Sequence, residues 1–347
     1  MEKQIRSSKK SAVRKPRAAA RVRSTATTSP GPRFQWGGFR PLFDYWGREI
    51  KRFYKLETLS SATEWMLRKN NDRFLIRSIQ DVLGPAPVVS LSFELFQEGK
   101  YQLIFRLRAA NAKRKEASFA FVVAKAHGDY SETASEEHGN LRALHERMPL
   151  LVVKPFRGGL IFLPDRRQRA DHGREVYAYL TQWLGGFHEL GVARNLQFFV
   201  NTKEPHLFSV AQTEALKARM VEIIVRSYDP GKQTCMDMPQ IASGDFVVTK
   251  PAQGTPKLKL IACRRMLQHV SPAKLIHRIA EAHWDWGGLE VRLAPTDPDA
   301  FFASLAEARG AEEARAWLSQ YAAAVRRGTY PPQETLPIDE IEALTGR

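Results

Sequence analysis

The sequence predicts an α+β fold, with an antiparallel sheet in its first half and a mostly helical second half. Three observations carry this expectation. From Ser92 to Lys125, SFELFQEGKYQLIFRLRAANAKRKEASFAFVVAK, the apolar residues Phe93, Leu95, Leu103, Phe105 and Leu107 recur at period two, the pattern of strands with one buried face. Phe119 to Ala124 adds an apolar run the length of one buried strand. Beyond Ser271-Pro272, a helix-start pair, Leu275, Ile276 and Ile279 follow helical spacing, and two Ala-rich stretches, Asp297 to Arg309 and Ala311 to Arg327, read as further helices.

Charge divides the chain unevenly. The formal net charge is +16 over 347 residues, and residues 1–33 hold ten Lys and Arg against one acid, Glu2, a net of +9. That tail has almost no large apolar side chains to offset the entropy of ordering, so its composition predicts disorder. Its cations suit phosphates of a nucleic acid or an anionic membrane surface, and a merely solubilising extension is the alternative. With 43% hydrophobic residues, the remainder is long enough to bury a sizeable core. Two cysteines, Cys235 and Cys263, make neither a disulfide framework nor a four-cysteine zinc site and fit a reducing, cytoplasmic compartment. No apolar run approaches the ~18 residues of a membrane span, and no secretory signal is present.

In chain order, Phe34 to Tyr54 interleaves eight aromatics with Arg40, Arg48, Lys51 and Arg52. It reads as a helix packing an aromatic stripe on the core, or as a base-stacking surface. Ser61-Ala62-Thr63-Glu64 matches a capping box, and a further helix from Asp72 to Leu83 stops at Gly84-Pro85-Ala86-Pro87. The strands follow, broken at Gly99, a residue suited to a tight turn. Ser131 to Arg147 is a helix with Leu141 and Leu144 on one stripe; Glu137, four and seven residues before them, falls on the same inward face. Leu150 to Val153 and Leu160 to Leu163 read as a hairpin. Glu175 to about Leu190 reads as a helix, with Val176, Tyr179, Leu180, Trp183 and Leu184 as its apolar face. Next come a hairpin, Leu196 to Val200 with His206 to Val210, a helix from Thr213 to Tyr228, and a strand pair around Lys250-Pro-Ala-Gln-Gly-Thr-Pro256.

Strand, glycine turn, strand, loop and third strand closing on Val-Ala-Lys125, followed by a helix with Glu137, resembles the small lobe of protein kinases and aminoglycoside-phosphotransferase-like proteins. The resemblance implies a bilobal fold: a small lobe over 90–164, a mostly helical large lobe over 165–330, an accessory helical region over 34–89 and a tail from 331 to 347. It further implies a cleft binding ATP and Mg²⁺, with Lys125, Glu137 and Gly99 on the nucleotide, Lys125 paired to Glu137, and Phe162 to Asp165 as the hinge. Two alignments of the catalytic segment are open. One ends its helix at Leu190 and puts Asn195 where an aspartate is wanted. The preferred one uses the Thr213 helix, putting Gln240 at the catalytic aspartate, Asp245 at the first metal position and Ala262 and Cys263 at the second. Asp245 has a turn role after Gly244 as its alternative.

With two of three carboxylates missing, the resemblance implies a pseudokinase or a divergent phosphotransferase. The competing readings are a nucleic-acid-binding protein acting through its tail and aromatic segment, and a structural subunit of a larger assembly. His277 and Glu281, one turn apart, suit a metal ion less well than a solvated helix surface. Phosphate-loop, dinucleotide, HExxH, CxxC and GxSxG motifs are absent from the sequence.

Overall fold

The computed structural model describes residues 33–36, 73–99, 101–125, 128–164, 173–193, 195–202, 204–237, 243–250, 256–286, 289–331 and 336–346. The expectations for the basic tail, for most of the aromatic segment, for the Ser61 capping box and for Gln240 lie outside the described residues. Strand β1 (Arg33–Trp36) opens them, where the sequence predicts a helix from Phe34. Aromatic residues favour strands as readily as helices, and this segment satisfies the sheet edge that would otherwise be left unpaired. Helix α1 (Arg73–Leu83) buries Phe74, Leu75, Ile79 and Leu83, one stripe at helical spacing. It stops at Gly84, whose φ of +89° only glycine adopts without strain and whose N–H donates back to Gln80 O at 2.8 Å.

The period-two segments form strands β2 (Val88–Glu98), β3 (Gln102–Asn111) and β4 (Glu116–Ala124). They pair antiparallel, setting Phe93 opposite Leu107 and Phe105 opposite Phe121, so one face is a packed apolar layer. Helix α2 (Tyr130–Arg147) crosses behind with Ala134, Glu137, His138, Leu141 and Leu144 buried. Strands β5 (Pro155–Pro164) and β6 (Gly173–Gln182) complete a six-stranded sheet of order β1-β2-β3-β4-β6-β5, in which only the β1 pairing is parallel.

Three expectations change here. Glu175 to Leu190 is not a helix but β6 followed by β7 (Phe187–Val192), and residues 150–153 contribute only a single bridge, Val152 to Leu260. Since β6 packs on both faces, it reads as a near-continuous apolar run whose spacing also satisfies a helix. The chain therefore leaves the sheet at Trp183–Gly186, after β6, while Phe162 to Pro164 of the expected hinge lie within β5 and Asp165 lies outside the described residues.

Strands β8 (Phe198–Val200) and β9 (His206–Leu207) lead into helix α3 (Val210–Ser227), where Ser209 and Gln212 form a reciprocal capping box. Leu216, Met220, Ile223 and Ile224 are all buried, at roughly 1.5–3 kcal/mol for each such side chain. Arg147 donates to the carbonyls of Arg226, Ser227 and Tyr228 at 2.8, 3.0 and 2.7 Å, and Arg309 donates to those of Val225 and Tyr228. Two guanidinium groups thus satisfy the orphan carbonyls at the negative end of α3.

Strand β10 (Cys235–Met236) precedes a 3₁₀ turn at Ser243–Asp245, then β11 (Phe246–Thr249), β12 (Leu258–Leu260) and β13 (Met266–Leu267). A second sheet has the order β12-β11-β7-β8-β9, and β10 pairs with β13. Helix α4 (Pro272–Glu281), strands β14 (His283–Trp286) and β15 (Leu289–Arg292), and helices α5 (Pro298–Arg309), α6 (Ala311–Arg326) and α7 (Ile338–Thr345) complete an α+β fold whose last third is mainly helical. Ile341 and Leu344 of α7 are buried, so the chain end packs onto the helices before it. Among the described residues, no helix is long and apolar enough to cross a membrane.

Candidate functional site

Four elements bring charged groups together. The end of β4 carries Lys125, the inward face of α2 carries Glu137, the 3₁₀ turn carries Asp245, and the irregular segment between β12 and β13 carries Cys263 and Arg264. Helical spacing places Glu137 in line with Leu141 and Leu144, so the carboxylate is only 1% exposed. The antiparallel β7–β11 register sets Glu189 opposite Val247, close enough to the turn that a Cβ built on Gly244 would lie 2.6 Å from Glu189 Oε1.

The resemblance pairs Lys125 with Glu137, but the structure gives each another partner. Lys125 Nζ lies 2.8 Å from Glu98 Oε1 at the end of β2, and the Lys125 N–H donates to Tyr101 O. Glu137 Oε1 accepts from Tyr179 Oη of β6 through a short hydrogen bond, and from Gln102 Nε2 at 3.0 Å. Among the described residues its other oxygen has no hydrogen-bond donor; Arg264 Nε stands 3.8 Å from it. Gly99 occupies the β2–β3 turn, its N–H donating to Gln102 O at 2.9 Å.

Arg264 is the hub. Its Nη1 and Nη2 reach Asp245 Oδ2 and Oδ1 at 2.6 and 2.5 Å, the forked geometry in which a guanidinium grips both carboxylate oxygens. The Tyr101 ring lies 5.9 Å from its Cζ. The segment is tied to α2 by Asn140, whose Nδ2 donates to Cys263 O at 3.0 Å. Burial works against the charged guanidinium, yet the hydrogen bonds and charge of Asp245, with Glu137 beyond, hold the pKa of Arg264 above its ordinary value. Burial pushes Glu137 up despite the opposing pull of Tyr179, Arg264 and Gln102. Tyr179 is raised well above the usual phenol range by burial and then by the charge of Glu137, and burial raises Cys263 too. Glu189 is raised by burial and by the charge of Asp245.

These residues do not fit the Mg²⁺ that the resemblance implies. A hard cation needs free carboxylate oxygens, and both oxygens of Asp245 are engaged by Arg264. Ala262 and Cys263 supply no second carboxylate, and the described residues contain no group of three or more His, Cys, Asp or Glu able to hold a metal ion. His277 Nε2 lies 3.4 Å from Glu281 Oε2 with its ring stacked on Tyr330 at 4.0 Å, a packed pair rather than an open ligand set. Asn195 sits exposed on the β7–β8 connection, bonded to Gln197, and the alignment that used it loses its helix to β6 and β7.

Sequence reasoning missed Arg264, Tyr179 and Glu189. The Cys263-Arg264-Arg265 run directly after a strand was a visible signal for the first. The other two were hidden by the helix assigned over β6 and β7.

No family model and no curated protein matches the sequence. Among solved structures, the chain is similar to the "Putative fructosamine-3-kinase" of Haemophilus somnus 129PT, with 8% identity, 79% of this chain and 96% of that chain covered, and a TM-score of 0.33. That score is too low for the likeness to carry any argument about function. The kinase-like reading rests on this chain's own topology: three antiparallel strands, a helix after the third, and two more strands returning with the last beside the third; the remainder combines a second, five-stranded sheet with helices.

Proposed function

We propose that this chain is a kinase-like protein that does not perform metal-dependent phosphoryl transfer, a pseudokinase whose candidate metal position is filled by its own guanidinium. The carrying observation is the forked Arg264–Asp245 pair, with Glu137 behind it. Kinase chemistry needs Lys125 free for phosphate and Asp245 free for metal. Here the ammonium meets Glu98 and the carboxylate meets a guanidinium, so an internal cation takes the place where a metal would bring its charge. The role that remains is structural, with α2 fixed against the sheet as a surface for a protein partner. Incubation of the full chain with γ-labelled ATP, Mg²⁺ and Mn²⁺ should release or transfer no label above a no-protein control. Turnover that disappears in Asp245→Asn would overturn the reading.

The net charge of +9 in residues 1–33 supports a second, separable role, binding of polyanions through the tail. Affinity for duplex DNA or RNA should fall steeply with salt and vanish in a chain starting at Phe34. Equal binding by both forms would remove this role.

A further inference from the structure

Away from the Arg264 cluster, a cavity of about 430 Å³ opens where α3, the start of β7 and the edge strand β12 meet the Leu150 turn. Its volume lies in the range of small-ligand sites. The walls are apolar, from Leu150, Phe187 and Leu258, and its charged groups are Arg219, Lys257 and Lys259 without an acid among the lining residues. Leu150 is 82% exposed, which leaves a large aliphatic side chain at the mouth with nothing over it. Alternation along the strand sets Lys257 and Lys259 on one face. Glu222, buried on α3, already bonds both Arg219 and Arg226. Neither lysine forms an ion pair among the described residues, so the cavity carries a surplus of positive charge beside exposed hydrocarbon. Partial burial also pulls Lys259 below its ordinary pKa.

We propose that this cavity binds a small amphipathic anion, a soluble molecule with an aliphatic or aromatic body and one terminal carboxylate or phosphate. The body lies against Leu150 and Phe187, and the anionic end meets Lys257 and Lys259. The apolar walls alone favour any hydrocarbon; the uncompensated cations select an anion. The site is independent of the pseudokinase reading, because none of its residues belongs to the Arg264 cluster.

Calorimetric titration of the full chain with decanoate tests this, with decanol, inorganic phosphate and anionic phospholipid vesicles as comparison arms. Decanoate should bind at one site, while decanol and inorganic phosphate, each lacking half of the recognised chemistry, bind at least about tenfold more weakly. Lys257→Glu/Lys259→Glu should weaken decanoate by about tenfold or more while leaving the urea midpoint near wild type. Leu150→Ser, at an exposed position, should weaken it independently and serves if the lysine variant does not fold. Undiminished binding in both variants, decanol binding as tightly as decanoate, binding to vesicles without binding to decanoate, or no decanoate binding would each overturn the assignment.

Discussion

Lys125 and Arg264 are both cations paired to carboxylates beside α2, yet the chain holds them in different ways. Lys125 ends a strand and meets Glu98 of the same sheet, a contact that hairpin pairing of β2, β3 and β4 already brings close. Arg264 lies on a segment without regular structure and reaches Asp245, on the turn before β11, and Glu137, on a helix of the first half of the chain. The first pair decorates a sheet that would form without it. The second fastens the end of the β11–β12 strand pair, where the Ile261 N–H already donates to Asp245 O at 2.8 Å, to a helix of the first half of the chain, and it does so where the carboxylates are 1% and 4% exposed. Removing either cation leaves a buried carboxylate behind, since Glu98 is itself 3% exposed; the difference is that Arg264 faces two such groups across separate elements and Lys125 meets Glu98 within one sheet.

The largest effect should therefore come from Arg264→Ala, which strands two buried carboxylates and should cost about 3 kcal/mol in urea unfolding. Adding Asp245→Ala to it should recover part of that loss, because one of the stranded charges goes too. Additive losses would contradict the forked pair. Lys125→Ala, which takes the cation from a single buried carboxylate, should cost less, about 2 kcal/mol, and a loss equal to that of Arg264→Ala would erase the contrast between the two cations.

The pH dependence sharpens the comparison further. Glu137 has a folded pKa raised above its ordinary 4.5, chiefly by burial, so the folded state binds the proton more tightly than the unfolded state does. Its contribution is fully present below about 4.5 and is lost as pH rises through the folded value. Glu137→Gln, which keeps an acceptor for Tyr179 and Gln102, should match wild type near pH 4.5 and gain on it toward pH 7. A growing disadvantage for the variant over that range would show that the Arg264 attraction outweighs burial.

The contrast between the two cations also marks how much could be read from the sequence. Strands β2, β3 and β4 were legible because residues such as Phe93, Leu95, Leu103 and Phe105 alternate with polar ones, and Glu137 was legible because it shares a helical stripe with Leu141 and Leu144. Both signals are local. Strand β6 was not legible, since burial of Val176, Ala178, Tyr179 and Leu180 on its two faces removes the alternation that distinguishes a strand. Arg264 was legible only in part: Asp245 lies across the strand pair that the sequence marks around Lys250 to Pro256, but Glu137 lies 127 residues away, a juxtaposition no periodicity encodes. Asp245 was found as a residue but not in its role, because a carboxylate bound to a guanidinium and one bound to a metal look alike in sequence.

The central claim is that a guanidinium holds the place of the metal. Titration of the wild-type chain with Mn²⁺ in the presence of ATP, followed by the electron paramagnetic resonance signal of free Mn²⁺, tests it most directly. No specific uptake of Mn²⁺ is the predicted result. Stoichiometric uptake in wild type that is lost in Asp245→Asn would contradict it.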